Sequence, residues 1–189
     1  MTDTADFPPD DFSHDNPRPA GWLSAEEIAV ARAQLPLVYV DAVPVRVDDS
    51  GDVVAVGLPP RLPRHRPPPR PLASGRAKTH ERLRDALLRH IEQDLGPVAL
   101  PQVPASPQPF TVAEYFPTPG ITSYHDPRQH AVSLAYVVPV TGDCRPQQNA
   151  LELAWLTPEQ ACSDEVQLEM RGGQGVLLRQ AMAYVGRLP

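Results

Sequence analysis

Gly75-Arg76-Ala77-Lys78-Thr79-His80-Glu81-Arg82-Leu83-Arg84-Asp85-Ala86-Leu87-Leu88-Arg89-His90-Ile91-Glu92-Gln93-Asp94-Leu95-Gly96-Pro97 is the stretch on which the fold turns. Its second half is helical by pattern. Leu83, Ala86, Leu87, Ile91 and Leu95 recur at spacings of three and four, which lines one helix face with apolar side chains. The spacing predicts a helix over residues 82–95, stopped by Gly96. The polar residues make a second pattern. Glu81, Asp85 and Arg89 stand four apart, as do His90 and Asp94, so each set shares a face. Gln93 lies beside the second set. A glycine-led loop therefore feeds a helix that gathers acids, an arginine and a histidine. Such a face reads as a solvated surface or as a cation site, and spacing alone does not separate the two.

Upstream, residues 59–71 (Pro-Pro-Arg-Leu-Pro-Arg-His-Arg-Pro-Pro-Pro-Arg-Pro) exclude a central strand, because each proline lacks the amide a ladder needs. An Arg/Pro-rich surface loop is expected there. Residues 53–58 read as a strand, Asp48-Asp49-Ser50-Gly51 as a turn and residues 37–43 as a buried strand, with Val45 to Val47 continuing past Pro44. Ser24 followed by Glu27 has capping-box spacing. Ile28, Ala31 and Leu35 then repeat helically up to Pro36. Residues 1–20 hold Asp3, Asp6, Asp10, Asp11 and Asp15 and few apolar side chains, which predicts a disordered acidic tail. Residues 21–189 are expected to form a single domain.

Downstream, residues 97–109 form a second Pro-rich connection. Residues 110–116 and 132–140 read as strands, and residues 151–156 as a short one. Thr157-Pro158 starts a short helix. A last helix over residues 175–185 is expected to turn Val176, Leu177, Gln180, Ala181 and Tyr184 inward. Strand runs mixed with helices predict an α/β (α+β) fold with a mixed β-sheet covered on both faces.

Composition narrows the function. The chain has 189 residues, 25 prolines and a formal net charge of -6. Average usage of about 5% would give roughly nine prolines, so extended backbone is abundant. Net acidity argues against nucleic acid or an anionic membrane as the main partner. Cys144 and Cys162 lack disulfide-scaffold or zinc spacing, and no apolar run reaches membrane-spanning length. A cytoplasmic protein is expected.

Five residues of the opening stretch, Gly75, Glu81, Arg89, Ile91 and Gly96, fall at the spacing of the Nudix box, which the stretch resembles. Asp94 matches its last acidic position, while His90 and Gln93 replace glutamates and Pro97 an apolar residue. Residues 37–43 are similar to the first core strand of Nudix domains, and Leu151-Glu152-Leu153-Ala154-Trp155-Leu156-Thr157-Pro158-Glu159 to their late segment. Residues 110–117 and 125–134 resemble a divergent Nudix-like family of high-GC bacteria. The resemblance implies a Nudix-like α/β/α sandwich and metal-dependent hydrolysis of a nucleoside diphosphate derivative with Mg²⁺ or Mn²⁺. It would make Asp94, Glu81, His90 and Glu114 metal ligands and His90, Glu81 and Arg89 the catalytic group. Hard cations want carboxylate oxygens, and the phosphates need neutralising. His125, Arg128 and His130, with Asp126, sit on one loop and read as ligand contacts or as ordinary loop polarity. Many Nudix proteins are homodimers, so a homodimer is implied as well. Loss of two box acids motivates the alternative of a catalytically inactive Nudix-fold module that binds a nucleotide or a protein. A third reading is an adaptor, in which deleting residues 59–71 abolishes partner association and leaves the fold intact.

Overall fold

A computed structural model describes residues 22–58, 72–144 and 153–188. The acidic tail, the Arg/Pro-rich run and Leu151 and Glu152 of the late segment lie outside the described residues.

Helix α1 (Ala25–Gln34) begins at Ser24, whose hydroxyl accepts from the Glu27 amide while the Glu27 carboxylate accepts from the Ser24 amide. Strand β1 (Leu37–Val47) follows and is the spine of the sheet. It runs parallel to β5 (Ala131–Pro139) on one side. On the other side it pairs antiparallel with β3 (Ala73–Arg76) through Tyr39 to Ala42, and with β2 (Val53–Leu58) through Val45 to Val47. Pro44 falls in the gap between those partners, where its missing amide is tolerated. Strand β4 (Thr111–Tyr115) closes one edge against β5, and β6 (Ala154–Leu156) the other against β2. The sheet is mixed, as expected.

Helix α2 (Leu83–Leu95) covers one face. Its Ala86, Leu87, Ile91 and Leu95 are buried against Val40, Ala42, Ala73, Tyr136 and Val138, so the predicted stripe is the buried stripe. Helices α3 (Pro158–Ala161), α4 (Asp164–Glu169) and α5 (Gln174–Tyr184) cover the other face. There Ala161, Val166, Leu177, Leu178, Ala181 and Met182 pack on Val43, Val45, Val56 and Leu58. The two sets on β1 differ in parity, as a period of two requires. The result is a helix–sheet–helix sandwich. Among the described residues no helix is long and apolar enough to cross a membrane.

Two expectations need correcting. The inner face of α5 is Gly175, Leu177, Leu178, Ala181 and Met182, whereas Val176, Gln180 and Tyr184 are exposed. The helix is rotated from the predicted face, and Gln180 accepts a hydrogen bond from the Tyr124 hydroxyl at the surface. Strand β3 was also unexpected. It leads straight into the box and pairs along β1.

Candidate functional site

The box begins where β3 ends. Arg89, at the middle of α2, reaches back to tie the loop to the helix. Its Nε and Nη2 each donate to a different oxygen of Glu81, both at 2.7 Å. Nη2 also donates to the Arg76 carbonyl at 2.9 Å. The second Glu81 oxygen accepts the Lys78 amide at 2.8 Å. One carboxylate thus organises the loop through a bidentate arginine, the strongest common geometry for such a pair. Burial pushes the Glu81 carboxyl up, but Arg89 and the Lys78 amide outweigh it and hold it below the usual glutamate range.

His90 packs against the strand. A Cβ on Gly75 would lie 1.7 Å from His90 Cε1, so the imidazole rests where any other residue at position 75 would put its side chain. Its Nε2 is 3.0 Å from Arg89 Nη1 and 3.2 Å from the Arg76 carbonyl. Protonation of Nε2 decides which contact forms: without the proton it accepts from Arg89, with it the ring donates to the carbonyl. Gly75 is therefore required by close approach. Gly96, at φ 95, ends α2 and donates its amide to the Glu92 carbonyl.

The structure thus gathers Glu81, Arg89 and His90. Asp94 lies one turn beyond His90 on α2. Glu114 is exposed on β4. Three strand spacings separate β4 from β3 across β5 and β1, roughly 14 Å of sheet. Among the described residues no three His, Cys, Asp or Glu side chains are grouped to hold a metal ion. Both oxygens of Glu81 already accept from cationic or amide donors, and Gln93 is neutral. This donor set, as arranged, does not fit a divalent cation, which would be placed beside the Arg89 guanidinium.

A second polar group lies on the opposite face of the same strands. Asp41, at 1% exposure, accepts the Ser133 hydroxyl at 2.6 Å. Burial raises its carboxyl, and the hydrogen bond from Ser133, with the Ser74 and Tyr115 hydroxyls close by, opposes this. The Tyr115 hydroxyl is sealed from solvent and completes no well-formed hydrogen bond among the described residues, and burial, with the Asp41 charge beside it, drives it to ionise only at higher pH than usual. Beyond this group, Gln129 links three elements. Its Nε2 donates to the Tyr39 hydroxyl and to Asp126, and its Oε1 accepts from Arg32 Nε at 2.9 Å.

The 125–130 loop is held together internally. Arg128 pairs with Asp126 at 3.0 Å. His125 Nδ1 lies 2.9 Å from the Phe116 carbonyl, and His130 stacks on the Phe116 ring at 4.5 Å. His130 Nε2 is buried without a hydrogen-bond partner among the described residues. Asp41, Ser133, Gln129, Arg32 and Arg76 escaped the sequence reading. A lone acid inside the apolar run of residues 37–43 was the available signal.

Residues 18–187 match the model of DUF4916, a domain of unknown function. No curated protein matches the chain in sequence. A solved chain from Jonesia denitrificans, described as a candidate asymmetric diadenosine tetraphosphate hydrolase, is 68% identical with a TM-score of 0.78, over 82% of this chain and 98% of that one. The NUDIX domain of Shewanella oneidensis NrtR, solved with ADP ribose, is 20% identical at TM-score 0.54, over 86% of this chain and 98% of that one. A Caenorhabditis elegans Ap4A hydrolase is 12% identical at TM-score 0.54, over 79% and 98%. The last two speak for the fold alone. With the family model covering residues 18–187 and the 68% identical relative sharing the same sandwich, the chain has a Nudix-like fold and belongs to the DUF4916 family.

Proposed function

We propose that this protein binds a nucleoside diphosphate-type ligand at the box end of the sheet, with the box acting as a rigid cradle rather than as a divalent-metal centre. One observation carries this reading. Arg89 grips both oxygens of Glu81 while His90 lies flat on Gly75, so the two best-placed box side chains hold the loop in shape. The ligand class is supported by the 68% identical relative, described as a candidate diadenosine tetraphosphate hydrolase. Titration calorimetry with ADP, ADP ribose and diadenosine tetraphosphate, in Mn²⁺ and in EDTA, tests it. Binding in both conditions, with the nucleotide recovered intact, is the expected outcome. Failure of every compound to bind sinks the reading.

A second reading is metal-dependent hydrolysis with Mg²⁺ or Mn²⁺. The description of the 68% identical relative as a candidate hydrolase favours it. Asp94, Glu81, His90 and Glu114 would then have to converge on the ion, with His90 as the base. Turnover that requires Mn²⁺ and is lost in Asp94→Asn would replace the first reading by this one.

A further inference from the structure

The box loop after β3 carries more positive charge than Glu81, the one acid of residues 77–82, balances. Arg76, Lys78 and Arg89 lie within the box loop and the adjoining helix, and Arg32 arrives from α1. Arg89 is committed to Glu81. Lys78 holds its ammonium 3.3 Å from the centroid of the Trp22 ring. Arg76 differs. It is half-buried, and among the described residues no carboxylate forms an ion pair with it.

Register places Arg76 opposite Tyr39. Its neighbour Gly75 faces α2, so the Arg76 side chain leaves from the other face of β3. Tyr39 is the residue whose hydroxyl accepts from Gln129, and Gln129 in turn accepts from Arg32. Arg32 and Arg76 therefore flank one tyrosine. Partial burial chiefly disfavours the charge on Arg76, and Arg32 and Arg89 add to this, while Tyr39 and Glu81 oppose it without reversing it. A half-desolvated guanidinium crowded by like charge is costly until an anion joins it.

We propose that Arg76, flanked by Arg32 and Lys78, is a subsite that holds the phosphate groups of an anionic ligand directly, without a divalent metal. The box has lost acids that would hold a cation, at His90 and Gln93. The strand that leads into it presents cations that hold an anion. Guanidinium groups suit phosphate because their N–H donors match two oxygens at once. Identification of the anion as a nucleoside diphosphate rests on the function proposed above; the cation cluster does not.

Inorganic pyrophosphate, titrated into the full chain in EDTA at low ionic strength, tests the subsite. Wild type binds, and added salt weakens binding. Arg76→Gln loses affinity by about tenfold or more, the usual scale for a charge-assisted contact. Arg32→Gln, on a separate element, loses affinity in the same direction. Arg187→Gln, which breaks an exposed pair with Asp52, binds as wild type does. If Arg76→Gln does not fold, Arg32→Gln decides. No binding by wild type, or unchanged binding in both folded variants, overturns the subsite. Pyrophosphate binding that ADP does not improve upon sinks the nucleotide reading and leaves the subsite standing. ADP binding that is equal in wild type and Arg76→Gln does the reverse.

Discussion

Two residues on opposite faces of the sheet carry the clearest single-site consequences. Gly75→Ala would drive a methyl into the His90 imidazole. The ring must then move and surrender its contacts with Arg89 and the Arg76 carbonyl. Overpacking of this kind costs about 1–3 kcal/mol. Adding His90→Ala to Gly75→Ala should recover part of the loss, so a double-mutant cycle on thermal denaturation should be clearly non-additive. Additivity would mean that the contact carries no energy. Asp41 is the second residue. Its folded carboxyl titrates above the ordinary value of 3.8, chiefly through burial. Its contribution is fully present below that value and is lost as pH rises through the folded one. Asp41→Asn keeps an oxygen for Ser133 and removes the charge. The variant should therefore gain on wild type as pH climbs above 3.8. Glu81 behaves oppositely, because its folded carboxyl is held low. Its contribution is present above the usual glutamate range and fades as pH falls, and Glu81→Gln should remove that acid-side loss. Melting curves across pH separate the two signs.

At the level of elements, legibility followed the source of each element's stability. Helix α2 was readable because its own apolar stripe is what buries it. Helix α1 was readable for another reason: Ile28 is its one fully buried residue, so the helix stands largely on its cap. Ser24→Ala should cost about 1 kcal/mol, seen as faster hydrogen exchange of the first-turn amides and unchanged exchange in β1. Because α1 carries Arg32, the same change should also weaken pyrophosphate binding. Strand β3 was not readable. Ala-Ser-Gly-Arg has no β-branched or aromatic residue, and four residues leave no alternation to detect. Pairing with β1 makes it a strand. The site was half legible for the same reason. Glu81, Arg89 and His90 belong to one local motif. Arg76 and Tyr39, Asp41 and Ser133, and Arg32 and Gln129 meet only through sheet register and a loop far off in sequence, which one-dimensional spacing does not encode.

For the whole molecule, the course of β2 and β3 along β1 decides what the Arg/Pro-rich run is needed for. Both strands lie on the same edge of β1 and run antiparallel to it. Strand β2 leaves after Val56, opposite Val45, and β3 joins at Ala73, opposite Ala42. The two are consecutive segments of one strand line, and three residues of β1 span roughly 10 Å between them. Residues 59–71 therefore connect points that a much shorter chain could join, and loop-closure entropy changes only slowly with length. Replacing those thirteen residues by six of Gly and Ser should leave the melting temperature within a few degrees and retain metal-free pyrophosphate binding, because Arg76, Arg32 and Lys78 lie outside the run. A collapse of the fold would show that the segment completes the sheet edge. Intact folding with lost pyrophosphate binding would move the anion subsite from Arg76 to the arginines of the run itself. Intact folding and binding with loss of a partner captured by the wild-type chain would favour the adaptor role, in which the run recruits that partner while the sandwich merely displays it.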